Sequence, residues 1–289
     1  MELSREKELK LIAARMRRLI IEGTYNACSG HPGGSLSCTD ILANLYFNTI
    51  NVKPEQPDWE SRDRFVLSKG HCAPALYAAL AVKGFFPEED IKTLRKIDSY
   101  LEGHPNMNTV PGVDMSTGSL GQGISAAVGM AIAGKLDKKD YFVYTLLGDG
   151  ESQEGQVWEA AMAAAHYKLD NLIVFLDLNT LQIDGRITDV MSPLPLDDKF
   201  KSFGFYVQVI DGHDIKQLDK AVQEAKSQSI KDTGMPSVII CKTLKGKGIS
   251  FMEDKAEWHG VAPKEDQRDM AYSEIDREIC KLKREMEDC

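Results

Sequence analysis

Residues 141–185 read YFVYTLLGDGESQEGQVWEAAMAAAHYKLDNLIVFLDLNTLQIDG, and no other stretch limits the fold so tightly. Tyr141 to Leu147 is apolar and aromatic without alternation, the pattern of a strand buried on both faces. Gly148-Asp149-Gly150 ends it. Gly155 to Tyr167 is Ala-rich, with Val157, Ala161, Ala164 and Ala165 on one face, and predicts a helix. Leu172 to Leu178 predicts a second buried strand with Asn179 at its tip. A strand–helix–strand unit of this length is a right-handed crossover between parallel strands. Both strands then end at one edge of the sheet. Asp149 and Asn179 meet there although 30 residues separate them.

The crossover helix starts at the same edge, where its free N–H groups and dipole favour an anion. A carboxylate, an amide oxygen and the carbonyls after Asn179 are hard oxygen donors. Beside an anion site they suit Mg²⁺ or Ca²⁺ bridging a diphosphate. Gly148 and Gly150 let the backbone approach such phosphates closely. Asp-Gly is also a hairpin signal, but a helix and not a pairing strand follows. A plain loop with no ligand fits this stretch equally well.

GDG followed by Asn about 30 residues later resembles the thiamine diphosphate signature. The longer text, GDGESQEGQVWEA with LNTLQIDG, resembles the transketolase family. That resemblance implies a mostly parallel α/β sheet with helices on both faces, the diphosphate-binding domain of the thiamine diphosphate fold. It implies metal ligation by the Asp149 and Asn179 side chains and the Leu181 carbonyl. The implied cofactors are thiamine diphosphate and Mg²⁺, with Ca²⁺ or Mn²⁺ as substitutes. Gly148, Gly150 and Glu151 fall in the implied cofactor-binding set.

With 289 residues the chain suffices for one large or two ordinary domains, and 43% apolar content supports a substantial core. A net charge of −9 argues against a nucleic-acid partner. The one basic cluster, Arg15-Met16-Arg17-Arg18, reads as a solvated helix face. MELSREKELK lacks a signal-peptide core, and no apolar run approaches a membrane span. Six cysteines without paired spacing suit a reducing cytoplasm. The boundaries predict one domain over 1–289, with a helical lead to about residue 50 and a helical tail from about 264.

Residues 4–24 predict a helix with Leu9, Ile12, Met16, Leu19 and Ile20 inward. SGHPGGSLS, with His31, predicts a tight loop, with Ser37 or Thr39 capping the next helix. A lone loop histidine is more often structural, yet this segment resembles the one whose His contacts the sugar in transketolases. Arg62–Ser68 predicts a strand. His71 follows it, and the resemblance puts it on the diphosphate. Lys69 departs from relatives that carry an uncharged residue. Pro87–Ile97 predicts a surface helix. Gly121-Gln122-Gly123-Ile124-Ser125-Ala126 fits G-x-G-x-x-A, but no strand precedes it, so a nicotinamide site is rejected. By resemblance, His104 in LEGHP faces the reacting carbon, and Gly118, Ser119 and Leu120 line the cofactor site, Ser119 replacing the usual Pro. Phe205–Ile210 and Pro236–Lys242 predict strands, and His213 caps a helix over 214–228. The 243–263 loop reads as mobile and anion-facing. There His259 corresponds to the family's active-site histidine. Glu154 corresponds to an interface carboxylate that couples sites; alone it reads as a helix-start Glu.

The resemblance therefore implies ketol transfer between sugars, with His31, His104 and His259 handling protons because imidazole titrates near neutrality. It also implies a partner. The carboxylate that contacts the cofactor's pyrimidine lies in a downstream domain in transketolases, and this chain stops about where that domain begins. The expectation is an N-terminal subunit paired, in an α2β2 assembly, with a C-terminal transketolase subunit, acting on sugar phosphates, without nucleic acid or membrane. Alternatives are a deoxyxylulose-phosphate synthase-like chain, a 2-oxoacid dehydrogenase alpha-like chain, or a non-catalytic cofactor-binding chain.

Overall fold

A computed structural model describes residues 1–287. Asp288 and Cys289, the end of the expected tail helix, lie outside the described residues. Helix α1 (Leu3–Ala27) buries Leu9, Met16, Leu19 and Ile20, as their spacing predicts. Next come α2 (Pro32–Ser37) and α3 (Thr39–Asn44). The expected tight loop is thus a short helix, which Pro32 opens with its preset φ. Ser37 and Thr39 do not cap: Ser37 Oγ donates to Asp177 and Thr39 Oγ1 to the Ser35 carbonyl. Strand β1 (Arg64–Leu67) leads to α4 (Ala73–Lys83), and α5 (Gln122–Leu136) leads to β2 (Val143–Gly148). Helix α6 (Gly155–His166) crosses from β2 to β3 (Leu172–Leu178). A small antiparallel hairpin follows, β4 (Leu181–Gln182) with β5 (Gly185–Arg186). The chain continues through α7 (Ile187–Val190), α8 (Leu196–Ser202), β6 (Tyr206–Asp211), α9 (Ile215–Ile230), β7 (Ser237–Lys242) and α10 (Glu265–Glu287).

Five strands form one parallel sheet in the order β1-β2-β3-β7-β6. Both faces are covered. Ile173 and Phe175 of β3 join the cluster that holds α1, α3, α4 and α9. Val174 and Leu176 join the one that holds α5, α6 and α8. Neither parity of β3 meets water, which is why its text is apolar throughout.

Three further expectations change. Pro87–Ile97 is a 3-10 turn over Glu88–Thr93, after which Arg95 and Asp98 adopt left-handed backbone, φ 58° and 67°, that no helix continues through. β2 begins at Val143; Tyr141 instead lies beneath the Arg64 guanidinium, 4.5 Å from its ring centre. The basic cluster on α1 is only partly solvated: Met16 is core and Arg17 pairs with Asp40 at 2.6 Å. α10 packs along α1, with Ala271, Ile275 and Leu282 buried.

The G-x-G-x-x-A text serves packing. Gly121 takes φ 80° at the entrance of α5, and a Cβ on Gly123 would meet the Ser68 Cα at 2.5 Å. Gly123 therefore lets α5 lie directly on the end of β1. Gly123→Ala is expected to destabilise by about 1–3 kcal/mol through overpacking, read as a lowered urea midpoint. An unchanged midpoint would show that this approach is not tight.

Candidate active site

Because β1, β2, β3 and β7 are parallel, their C-terminal ends meet at one edge. The segments leaving them carry Lys69 and His71, Asp149 to Glu154, Asn179 to Leu181, and Thr243 to Lys245. His31 arrives from the α1–α2 junction and His259 from a turn over Ala256–His259. Most of these residues, among them His31, Lys69, His71, Lys245 and His259, line a cavity of about 320 Å³. Three imidazoles face one another across it, with ring centres 5.2 Å (His31–His71), 5.4 Å (His31–His259) and 5.1 Å (His71–His259) apart. His104 stands outside this trio, exposed, 6.5 Å from His31. Of the expected residues, Gly118, Leu120, Gly148, Asp149, Gly150, Glu151, Glu154, Asn179 and Leu181 line the cavity. Ser119 does not; it is exposed and lines an adjoining cavity with Met115 and Gly123.

Asp149 bridges the two strand ends. Its Oδ1 accepts from the Gly150 amide at 2.7 Å and its Oδ2 from the Thr180 amide at 2.5 Å. Asn179 Oδ1 accepts from the Leu181 amide at 3.1 Å. The donors offered to a cation are one carboxylate, one side-chain amide oxygen and the Leu181 carbonyl. Among the described residues no group of three His, Cys, Asp or Glu side chains could hold a metal. The hard mixed set is the kind Mg²⁺ uses when phosphate oxygens and water complete its octahedron, so these residues fit that ion. α6 itself begins only at Gly155; a 3-10 turn over Gly150–Gln153 separates it from Asp149. The expected anion site at its N-terminus is thus set back from the metal donors.

Two lysines enter the site that the motifs did not mark. Lys69 and Asp177 form an ion pair with both side chains out of water. Asp177 also accepts from Ser37 at 2.5 Å, from Asn179 Nδ2 at 2.9 Å and from Thr243. Burial opposes both charges, but each holds the other ionised: Asp177 lies below the usual carboxylate range and Lys69 well above the usual amine range. The sequence signal for this was an aspartate inside the apolar run LIVFLDL. Lys245 is 1% exposed, with Nζ 3.0 Å from the Leu181 carbonyl and 2.8 Å from His259 Nδ1. Burial and Lys69 bring its pKa down to about 8.

Glu151 lines the cavity, but its carboxylate is engaged elsewhere. It accepts from Ser68 Oγ at 2.5 Å and from the Gly121 and Gly148 amides at 3.0 Å each. It ties β1, β2 and α5 together, so the structure gives it a framework task. His213 does not cap α9; the Asp214 side chain does, accepting from the Lys216 and Gln217 amides. His213 bonds Asp40 and the Leu244 amide instead.

Burial sets the protonation of the site. Burial and neighbouring imidazole lower His31 to about 4, and burial with Lys245 lowers His259 to about 3. Both rings are neutral at pH 7. Burial and Asp177 raise Asp149 to about 6.

Asp177→Leu leaves the Lys69 ammonium buried without its counter-charge and is expected to cost about 3–5 kcal/mol of stability. The double variant with Lys69→Met should cost less than either single change, a coupling that a urea double-mutant cycle measures. Additive losses would show that the pair does not act as a unit. A second test follows from His31 and His259. Their folded pKa values lie below the unfolded value of about 6.5, so acid favours the unfolded chain. Their contribution is intact above pH 6.5 and is lost as pH falls towards about 4 for His31 and about 3 for His259. His259→Gln should flatten the fall in urea midpoint over that window relative to the native chain; parallel curves would overturn the assignment.

A family model for the transketolase thiamine diphosphate binding domain matches residues 8–276. The fold is therefore that of a thiamine diphosphate-binding α/β domain. Over 91% of this chain and 94% of the relative, the sequence is 48% identical to a 6-deoxy-6-sulfo-D-fructose transketolase subunit of a Clostridium species. It is 43% identical to an apulose-4-phosphate transketolase subunit of Phocaeicola vulgatus, over 96% of this chain and 97% of that one. Human transketolase is 44% identical over 94% of this chain, which spans 42% of the human protein. The crystal structure of Campylobacter jejuni transketolase superposes with a TM-score of 0.84 at 33% identity, over 92% of this chain and 43% of that one. The chain belongs to the transketolase family.

Proposed function

We propose that this chain is the cofactor-binding subunit of a two-chain transketolase that moves a two-carbon ketol unit from a ketose to an aldose. The convergence of three histidines on a cavity floored by Asp149, Asn179 and Leu181 carries the reading. Asp149, Asn179 and the Leu181 carbonyl would hold Mg²⁺, and the diphosphate would lie against His71, Lys245 and the glycines of Gly148-Asp149-Gly150. Thiamine diphosphate supplies the carbanion chemistry of C–C cleavage when bound. This chain binds, orients and handles protons.

The hydrogen bonds allot those tasks. With the Lys245 ammonium donating to His259 Nδ1, the ring proton of neutral His259 sits on Nε2 and can be donated to a ligand oxygen. His31 Nδ1 is buried without a hydrogen-bond partner, so the ring has its other nitrogen, Nε2, to offer a substrate hydroxyl. His104, nearer the mouth, fits contact with the sugar. Exposed Glu154 fits the interface role that the family resemblance implies.

A separate chain would complete the site, as the names of two relatives, each a transketolase subunit, suggest, and α2β2 is the assembly proposed. The described cysteines are free thiols, which fits the cytoplasm. Relatives are named for a sulfonated ketose and for apulose 4-phosphate. Donor sugars to assay therefore include both, beside xylulose 5-phosphate as the pentose-phosphate default.

Ketol transfer to ribose 5-phosphate, with thiamine diphosphate and Mg²⁺, should appear only when this chain is mixed with the chain that co-purifies with it. Turnover by the isolated chain would overturn the two-subunit reading, and a decarboxylation product from pyruvate would overturn the transketolase reading. Asp149→Ala should remove Mg²⁺-dependent cofactor binding, lowering affinity by at least about a hundredfold, since a buried cation would lose its carboxylate ligand.

A further inference from the structure

Lys245 owes its position to residues outside the cavity. Beside ties such as the Asp254 amide on the Lys245 carbonyl at 2.9 Å, the segment that carries it is held at three backbone points by Arg17, Gly33 and His213. The Leu244 amide donates to His213 Nε2 at 2.9 Å, the Gly246 amide donates to the Gly33 carbonyl at 3.0 Å, and the Lys247 carbonyl accepts from Arg17 Nε at 3.1 Å. Gly246 and Gly248 both take left-handed φ, 78° and 91°, so the chain turns sharply on either side of Lys247. A Cβ on Gly248 would stand 2.9 Å from Arg17 Cδ, so the arginine lies directly on the segment.

Two of the three ties share one carboxylate. Asp40 of α3, 6% exposed, accepts from Arg17 Nη2 at 2.6 Å and contacts His213 Nδ1 at 2.7 Å through the same Oδ2. The tautomer follows from the backbone. A peptide N–H can only donate, so Nε2 of His213 accepts and the ring proton sits on Nδ1, facing Asp40. Asp40 thereby fixes the ring that holds Leu244 and the guanidinium that holds Lys247. Burial opposes its charge, but Arg17 and His213 outweigh that and bring it down to about 2. None of Arg17, Asp40 and His213 lines the cavity.

We propose that Arg17, Asp40 and His213 form a positioning clamp that sets the Lys245 ammonium on the Leu181 carbonyl and His259, and so tunes diphosphate binding from outside the pocket. This rests on the cofactor site proposed above. The three elements that supply the clamp, α1, α3 and the β6–α9 turn, are distant in sequence, and their common point is the backbone flanking Lys245. Loosening either tie frees the stem of Lys245 to leave the cavity, and with it the donor that fixes the His259 tautomer.

The test compares His213→Leu, which removes both ring bonds, with His213→Asn and His213→Gln. Asparagine can still donate to Asp40 but falls short of Leu244; glutamine extends an acceptor to the Leu244 amide. Two readouts are taken on the native chain and each variant, each mixed with the co-purifying chain: thiamine diphosphate affinity with Mg²⁺ by calorimetry, and the rate of amine labelling at Lys245 by mass spectrometry. His213→Leu and His213→Asn are expected to label Lys245 faster and to bind the cofactor about tenfold more weakly, the effect of losing one fixing hydrogen bond. His213→Gln should stay within about threefold of the native chain on both. A folded His213→Leu with native labelling and affinity would overturn the clamp. So would equal losses in all three variants that merely follow their urea midpoints. Should His213→Leu not fold, Arg17→Met replaces it, with faster labelling expected and native labelling overturning the proposal. If the native chain together with its co-purifying chain takes up no thiamine diphosphate, the cofactor reading fails by itself, and Lys245 labelling alone decides the clamp.

Discussion

The Lys69–Asp177 ion pair is the joint from which the functional edge is built. A carboxylate within a strand covered on both faces is unfavourable unless a charge and several donors meet it. Asp177 gathers those donors from four places: α2 through Ser37, the turn after β1 through Lys69, the tip of β3 through Asn179, and the exit of β7 through Thr243. Lys69 also donates to the Gly34 carbonyl at 3.1 Å. Satisfying one buried carboxylate therefore brings His71, Asn179, Lys245 and the His31 helix to common positions. Low dielectric strengthens these bonds and makes any broken one costly, which favours a single arrangement.

Around this joint the protein separates its charges. The cations, Lys69 and Lys245, are buried at or near the cavity floor, and the His31 and His259 imidazoles above them are kept neutral, both by burial and His259 by Lys245 as well. An anion entering such a site meets the Lys245 ammonium, the charge of Lys69 being already matched by Asp177. These two rings stay unprotonated at pH 7, so they meet a ligand as neutral hydrogen-bonding groups. A divalent cation adds to the same logic: Asp149, raised towards neutrality by burial and by Asp177, gains most from a metal that offsets both.

Glu151 and Gly123 show how the framework and the site share residues. Glu151 sits in the most diagnostic motif of the chain, yet its oxygens close the seam between β1, β2 and α5. Gly123 lies in a phosphate-binding look-alike, yet its bare Cα serves contact between helix and strand. Glycines and short polar residues serve close packing and ligand approach equally well, so one text supports both readings.

Local chemistry legible along the chain covered much of the site. Unbroken apolar runs announced parallel strands buried on both faces, the crossover brought Asp149 to Asn179, and the family resemblance marked His31, His71, His104 and His259, of which all but His104 line the cavity. Those features depend on neighbours in sequence or on a single crossover whose handedness is constrained. What could not be read were the pairings between distant segments. Lys69 looked anomalous until Asp177 faced it, His213 looked like a cap until Asp40 and Leu244 claimed its nitrogens, and Lys245 was one of several lysines in a loop. Arg95 and Asp98 ended an expected helix through backbone angles that propensity does not encode. A polar side chain carries no record of its partner; only the packed sheet, by excluding water, decides which buried group must satisfy which.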